Sequence, residues 1–215
     1  MIHPNTEVKM VNPQIGLGVF ATKFIPKGTI LYVVDDMELI YPKDHEMLRS
    51  EKYRPHIEKF SYTDQHGNRI VSWDYAKYIN HYCDFNSIST GYGFEIAIRD
   101  IEAGEQITDD YGALNIEREM ECGCGKSNCR KVIRPNDVVT YAKEWDEVII
   151  PALKKIHENE QPLLNYVDDE TKGKLDYFLK NNSGYLSIKE LFYNRELEHK
   201  NYSLNGVAQS IKKTL

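Results

Sequence analysis

Residues 79–86 read Ile-Asn-His-Tyr-Cys-Asp-Phe-Asn, which places two asparagines, a histidine and a cysteine within eight positions. An ordinary turn does not need this much hydrogen-bonding and metal-ligating chemistry, so the stretch should have partners elsewhere in the chain. Three other stretches of the sequence are candidate partners. They are Gly-Leu-Gly at 16–18, Asp-Asp-Tyr-Gly at 109–112, and three cysteines between 122 and 129.

Length and composition set broad limits on the fold and on the partners. The 215 residues are enough for one large domain, or for one domain with a smaller appendage. No apolar run reaches the length of a bilayer span, and residues 1–5 show no signal-peptide pattern, so we expect an intracellular protein, nuclear or cytoplasmic. A net charge of −6 disfavours direct nucleic-acid binding and favours a basic protein partner.

The pattern of residue types predicts a β-rich first part and a helical last part. Short alternating or β-branched runs recur up to about residue 110, separated by Gly, Pro and Asn turns, whereas residues 42–60 are polar and predict a variable insert. From Val138 the apolar residues recur at helical spacing until Pro151, which we expect to break the helix. Ser187 begins a capping box for a helix to about Glu198, and a shorter helix is predicted after Ser203.

The cysteines predict a metal site. Cys122, Cys124 and Cys129 follow the spacing C-x-C-x4-C with two glycines between them, and Cys83 is the remaining thiol of the chain. Four thiolates make a closed, structural zinc site with no position open for catalysis. The alternatives are reduced, unrelated thiols or disulfides, and an intracellular location disfavours the disulfides.

Four motifs, in this order, resemble those of the SET-domain protein lysine methyltransferases with a post-SET zinc segment. The family patterns are a G-x-G near the N-terminus, N-H-x-C-x-P-N, G-E-x-x-T-x-D-Y and C-x-C-G-x3-C-R. The corresponding stretches here lie at 16–18, 80–86, 104–111 and 122–130. The resemblance covers about residues 5–134. It implies a β-rich α+β fold of small curved sheets around a pseudo-knot, with a SET domain over 1–117, a post-SET segment over 118–134 and a helical extension over 135–215.

The resemblance also implies an activity and a set of site residues. The activity is S-adenosylmethionine-dependent N-methylation of a lysine in a histone or another basic protein. Tyr111 is the catalytic residue and orients the acceptor amine. The implied contacts to S-adenosylmethionine come from Gly16, Leu17, Gly18, Asn80 and His81. One structural zinc ion is implied on Cys83, Cys122, Cys124 and Cys129.

Two positions depart from the family pattern. Phe85 replaces the usual proline of the second motif, which changes loop stiffness but removes no ligand. Asp109 stands where the family usually has an aromatic residue that limits how many methyl groups the lysine channel admits. If its carboxylate faces the channel it can hold a protonated lysine, and if it faces solvent the channel is lined differently. Mono-, di- and trimethylation therefore stay open, as does the choice between histone and other acceptors.

Two other functions compete with the enzyme. One is a catalytically weak SET-fold module that binds S-adenosylmethionine or a lysine peptide, with Asp109 preventing turnover. The other is an interaction protein whose cysteines form a zinc knuckle, with the remaining motif matches being coincidental. Donor binding without methylated product would indicate the first, and a failure to bind the donor would indicate the second.

Overall fold

A computed structural model describes residues 1–195 of the chain, so the helix predicted after Ser203 lies outside the described residues. Small sheets dominate the first part. The strands are β1 Thr6–Asn12, β2 Gly16–Ala21, β3 Ile30–Val33, β4 Leu39–Tyr41, β5 Ser61–Thr63, β6 Arg69–Val71, β7 Asn80–His81, β8 Ser87–Ser89, β9 Phe94–Ala97, β10 Gln106–Asp109, β11 Met120–Glu121 and β12 Val132–Ile133. The helices are α1 Glu46–Arg49, α2 Arg54–Phe60, α3 Asp137–Thr140, α4 Ala142–Leu153 and α5 Asp169–Asn181.

The strands form four separate sheets. One has four strands in the order β1-β2-β10-β7, two have three strands in the orders β3-β9-β8 and β4-β6-β5, and β11 pairs with β12. The hairpin β5–β6 turns through Gly67, whose φ of +86° is accessible to glycine at little cost. The predicted β-rich α+β class with several small sheets is therefore confirmed, while the pseudo-knot remains a prediction.

The C-terminal helices pack on the β3-β9-β8 sheet and share one apolar core with it. Phe94 and Ile96 of β9 lie in this core together with Trp145 of α4 and Phe178 of α5, all of them buried. A second core lies between β2, β3 and β10. The boundaries 1–117, 118–134 and 135–215 stay a prediction, and the structure adds that the last segment completes the core of the first.

Two local helix predictions are corrected. Helix α4 continues through Pro151 and ends only at Leu153, because a proline in the last turn removes a single backbone hydrogen bond. Ser187 does cap a helix, with its Oγ accepting from the Lys189 N–H, but the element is a 3₁₀ turn that ends at Leu191. Residues 196–198 of the predicted helix lie outside the described part of the chain. Within residues 1–195, no helix has both the length and the apolar character of a membrane span.

Candidate active site and metal centre

A short parallel strand pair brings the sequence motifs together. β7 runs parallel to β10, with Asn80 opposite Thr108 and His81 opposite Asp109. On its other side β10 pairs antiparallel with β2, the strand that begins at Gly16. One sheet therefore carries the Gly-Leu-Gly segment, the Asn-His pair and the residues that lead into Tyr111.

Asn86 connects this loop to β10 from inside the protein. Its side chain is 1% exposed, its Nδ2 donates to the Gln106 carbonyl (2.8 Å), and its Oδ1 accepts from the Thr108 N–H (2.9 Å). A buried amide with both ends satisfied fixes the backbone around it. Asn86 thus holds the loop in register with β10, a role that its place in the motif did not specify.

The Gly-Leu-Gly segment contacts the Asn-His pair directly. Asn80 Nδ2 donates a 2.9 Å hydrogen bond to the Leu17 carbonyl. A Cβ on Gly18 would lie 2.6 Å from Val11 Cγ2 and 2.7 Å from Gln106 Nε2, so no larger residue fits without a rearrangement. Gly16 has a φ of +87°, a backbone conformation that residues with a Cβ rarely adopt, so glycine is favoured there by the backbone rather than by lack of space. The structure therefore brings three of the predicted donor-binding positions, Leu17, Gly18 and Asn80, into one cluster.

His81 lies between Tyr111 and Cys83. Its Nδ1 is 3.2 Å from the Tyr111 backbone N–H and its Nε2 is 3.4 Å from Cys83 Sγ. Burial, followed by the positive charge of Arg130, lowers the pKa of His81 to about 4, so the ring is neutral near pH 7. The amide of Tyr111 can only donate, so Nδ1 accepts and Nε2–H faces the sulfur. In the other tautomer Nδ1 would instead donate to the Asp109 carbonyl, 3.1 Å away.

Tyr111 is held at both ends. Its hydroxyl donates to the Ile79 carbonyl (2.7 Å), and its ring is 5.5 Å from the His81 ring. Burial, and then the charges of Asp109 and Glu95, raise the pKa of this phenol, so it stays protonated at any physiological pH. The hydroxyl is thus a fixed dipole whose oxygen lone pairs remain available as acceptors.

The four cysteines converge in space. The sulfur atoms of Cys83, Cys122, Cys124 and Cys129 all lie within 4.8 Å of one another, and Cys83 Sγ is 3.7 Å from Cys122 Sγ. Zinc–sulfur bonds of about 2.3 Å in a tetrahedron require sulfur–sulfur separations of about 3.8 Å. The arrangement therefore fits one zinc ion coordinated by four thiolates, and no disulfide is present among the described residues.

Backbone amides surround the thiols. The Arg130 N–H points at Cys83 Sγ and the Lys131 N–H at Cys129 Sγ, both at 3.4 Å. Burial raises the pKa of the Cys124 thiol, but hydrogen bonds from the Cys83 and Lys126 backbones outweigh it and lower the pKa to about 7. Amides that donate to sulfur stabilise thiolates, the form that binds zinc.

Arg130 connects the cysteine segment to the rest of the protein, a role that its motif position did not reveal. Its guanidinium donates to Asp110 Oδ1 (2.5 Å), lies 3.5 Å from Asp137 Oδ2, and lies over the ring of Tyr141 at 4.7 Å from the centroid. Asp110 immediately precedes Tyr111, and Asp137 begins α3. Arg130 therefore joins the metal segment, the candidate catalytic tyrosine and the helical extension.

Asp109 faces the interior beside Tyr111. The side chain is 1% exposed and, with Tyr111, Tyr62 and Ile79, lines a cavity of about 460 Å³. A second carboxylate, Glu95, lines the same cavity. Sequence reasoning missed Glu95, although a charged residue inside the otherwise apolar strand Phe94–Ala97 was a usable signal because all four residues of that strand are buried.

Comparisons with known proteins find similarity in the first part of the chain. The model of the SET domain matches residues 16–112. A histone-lysine N-methyltransferase of Arabidopsis thaliana, ASHR3, is 34% identical over 62 residues, which are 26% of this chain and 12% of that protein. A second Arabidopsis thaliana sequence, ASHH4, is 29% identical over 103 residues, covering 45% of this chain and 29% of its own length. The chain thus spans less than a third of either relative.

Similar solved structures include KRYPTONITE in complex with mCHG DNA and SAH, with a TM-score of 0.43 and 20% identity over 61% of this chain and 29% of that one. The methyltransferase domain of the human histone-lysine N-methyltransferase SETMAR has a TM-score of 0.41 and 19% identity over 62% of this chain and 58% of that one. The similarity to the SET domain thus extends over residues 16–112, a little under half of the chain.

Proposed function

We propose that this protein is an S-adenosylmethionine-dependent protein-lysine N-methyltransferase. The observation that carries the proposal is the β7–β10 pairing, which brings Asn80 and His81 next to the segment that leads into Tyr111, while Tyr111 also lines a cavity that opens to the surface. The residues expected at the methyl donor and the cavity expected for the acceptor thus meet at one tyrosine.

The donor supplies an electrophilic methyl group on a sulfonium. Gly16, Leu17, Gly18, Asn80 and His81 would hold it, because they lie on the two strands that flank β10 in one sheet and Asn80 donates to the Leu17 carbonyl. Methyl transfer to an amine is an in-line displacement, which needs positioning more than covalent help from the protein. No serine or cysteine nucleophile is required.

Tyr111 would orient the acceptor. Its proton is committed to the Ile79 carbonyl, so the oxygen lone pairs are left to receive an N–H of the amine. The acceptor lysine must also lose a proton, which costs on the order of 4–5 kcal/mol at neutral pH from a pKa near 10.4. Partial desolvation of the lysine beside Tyr62 and Tyr111 would favour the neutral amine.

The zinc site supports this arrangement without taking part in the chemistry. Four thiolates leave the ion no open position, so its contribution is folding free energy. Cys83 lies two residues from His81, and Arg130 lies one residue from Cys129 while it binds Asp110. The metal would therefore hold both flanks of Tyr111 in place.

The acceptor we propose is a lysine in a histone or another basic protein. The support is the net charge of −6 and the two buried carboxylates, Glu95 and Asp109, among the residues that line the cavity beside Tyr111. The named activity of the Arabidopsis relatives points the same way, although the chain covers only a small part of each of them.

The test is methyl transfer with isotope-labelled S-adenosylmethionine, core histones and a lysine-rich peptide library, read by mass spectrometry. Wild type should methylate lysine, and Tyr111→Phe should reduce transfer at least a hundredfold with unchanged zinc content. Tyr177→Phe removes the same atom at an exposed position on α5 and should keep full activity. Donor binding without methylated product would reject the enzyme and support the binding module, for which the buried carboxylates of Asp109 and Glu95 are the favouring observation.

A further inference from the structure

The cavity beside Tyr111 has an unusual lining for a site that must hold a methylated amine. Three tyrosines, Tyr32, Tyr62 and Tyr111, share its walls with two buried carboxylates, Glu95 and Asp109, while Glu58 and Glu117 are its less buried carboxylates. Tyrosine faces alone would make an aromatic cage, which suits quaternary ammonium groups. Carboxylates add hydrogen-bond acceptors, which suit an ammonium that still carries N–H groups.

Glu95 lacks the partners that a buried carboxylate requires. It is 8% exposed, its Oε2 is inaccessible to solvent, and this oxygen has no hydrogen-bond partner within residues 1–195. In the same part of the chain no Lys, Arg or His side chain forms an ion pair with it within 4.0 Å. Buried polar atoms are nearly always paired, and an unpaired buried carboxylate costs several kcal/mol. An unsatisfied buried oxygen on a residue that lines a cavity points to a cationic ligand.

Asp109 adds a second carboxylate to the same space. Its Oδ1 accepts the Asp110 N–H at 2.6 Å. Burial, and next the charge of Glu95, raise the pKa of Asp109 well above its usual range, and burial raises the pKa of Glu95 to about 7. Both carboxyl groups therefore keep their protons to a higher pH than ordinary carboxyl groups do.

Two of the four cationic side chains that line the cavity, Lys77 and Arg69, have partners other than Glu95 and Asp109. Lys77 Nζ donates to the carbonyl of Asp74 at 2.5 Å, and Arg69 pairs with Glu117. The Tyr111 hydroxyl donates to Ile79 and so cannot donate to either carboxylate. Among the described residues, no cationic group lies within ion-pair distance of Glu95, and the N-terminal ammonium, which acts on it from farther away, lowers its pKa without overcoming the effect of burial.

We propose that Glu95 and Asp109 bind the acceptor as a primary ammonium and accept its proton, so that the enzyme takes unmethylated lysine and stops after one methyl group. This inference rests on the proposed function. A lysine ammonium offers three N–H donors to the carboxylates and to the Tyr111 oxygen. Each added methyl group removes one donor and leaves an acceptor unpaired, which costs about 1–3 kcal/mol or more for a charged acceptor.

The proposed reaction needs only the acceptor lysine, the carboxyl groups of Glu95 and Asp109, and S-adenosylmethionine. An N–H bond of the ammonium breaks, an O–H bond forms on a carboxylate, and the electron pair stays on nitrogen. The amine then forms the N–C bond as the S–C bond of the sulfonium breaks with its electron pair remaining on sulfur. The product is a secondary ammonium, and the carboxyl proton passes to water when this product leaves. A carboxylate with a raised pKa is a stronger base for this transfer than an ordinary one.

The first experiment follows the products of zinc-loaded, full-length protein with labelled donor and core histones. Wild type should give monomethyl-lysine, and Glu95→Gln and Asp109→Asn should each lower kcat/KM at least tenfold. Glu102→Gln neutralises a carboxylate on an exposed turn and should behave as wild type. Mainly trimethyl-lysine from wild type, or Glu95→Gln activity within twofold of wild type, would overturn the inference while leaving the methyltransferase activity established.

The second experiment does not depend on turnover. Thermal unfolding is followed with millimolar butylammonium, which mimics a lysine side chain, and with butyltrimethylammonium, which has the same charge and no N–H. Wild type and Glu102→Gln should be stabilised by butylammonium only, and Glu95→Gln by neither. Equal or greater stabilisation by butyltrimethylammonium would show an aromatic cage instead. Butylammonium selectivity without any methyl transfer would support the cavity and reject the proposed enzyme.

Discussion

Glu95→Gln should change how stability depends on pH. The Glu95 carboxyl holds its proton up to pH about 7 in the folded protein, against 4.5 as its ordinary value. Between these two values the folded state binds more protons than the unfolded state. The contribution of Glu95 to stability is therefore fully present below pH 4.5 and is lost as pH rises through 7. A difference of 2.5 pKa units at 1.36 kcal/mol each is about 3 kcal/mol.

Glutamine cannot ionise, so it removes this loss. Its amide also adds a buried hydrogen-bond donor, which costs about 1–3 kcal/mol at every pH. The informative quantity is therefore the change in the stability difference between variant and wild type from one pH to another. Relative to wild type, the melting temperature of Glu95→Gln should rise by about 6–12 °C between pH 4.5 and pH 8.5. Zinc release at low pH affects both proteins, and Glu102→Gln controls for it. Melting curves for Glu95→Gln and wild type that stay parallel over this range would refute the reasoning.

Four further perturbations test other contacts. Chelating zinc, or replacing Cys122 with serine, should weaken S-adenosylmethionine binding at least tenfold in calorimetry, because the zinc ligand Cys83 and the donor-site residue His81 share one loop. Unchanged affinity in zinc-free protein would reject this coupling. Arg130→Met should lower methyl transfer at least tenfold while zinc stays bound, because it leaves the buried Asp110 carboxylate without its cation. Retained activity would show that the Arg130–Asp110 ion pair is not needed for the reaction. Trp145→Ala should cost about 3–5 kcal/mol in urea unfolding, and a loss below 1 kcal/mol would mean that α4 is not part of the core. Gly18→Ala should disturb the Val11 and Asn80 contacts and weaken donor binding, whereas Gly123→Ala, with open space around it, should not.

Sequence patterns predicted well what depends on local chemistry. The spacing of Cys122, Cys124 and Cys129, with Cys83 as the fourth thiol, identified a set that the structure brings within 4.8 Å. The Gly, Pro and Asn residues between short β-branched runs predicted turns, and one such turn joins β5 to β6 through Gly67. Neighbouring residues decide the conformation of this turn and of segment 122–129, so little tertiary information was needed there.

Long-range contacts account for what sequence patterns could not predict. Glu95 and Asp109 are 14 positions apart, and no local pattern says that both line one cavity. Arg130 was visible within a cysteine motif, but its contacts to Asp110 and Tyr141 depend on how three segments pack. The helical extension likewise showed an apolar face without showing which sheet covers it, and the shared core with Phe94 supplies that answer.

The most direct measurement is transfer of a labelled methyl group to lysine by the full-length, zinc-loaded protein, compared between wild type, Tyr111→Phe and Tyr177→Phe. We predict methylated lysine from wild type and Tyr177→Phe, and at least a hundredfold less from Tyr111→Phe at equal zinc content. Equal transfer by Tyr111→Phe, or labelled donor that binds wild type and is never consumed, would contradict the assignment of Tyr111 and of the reaction.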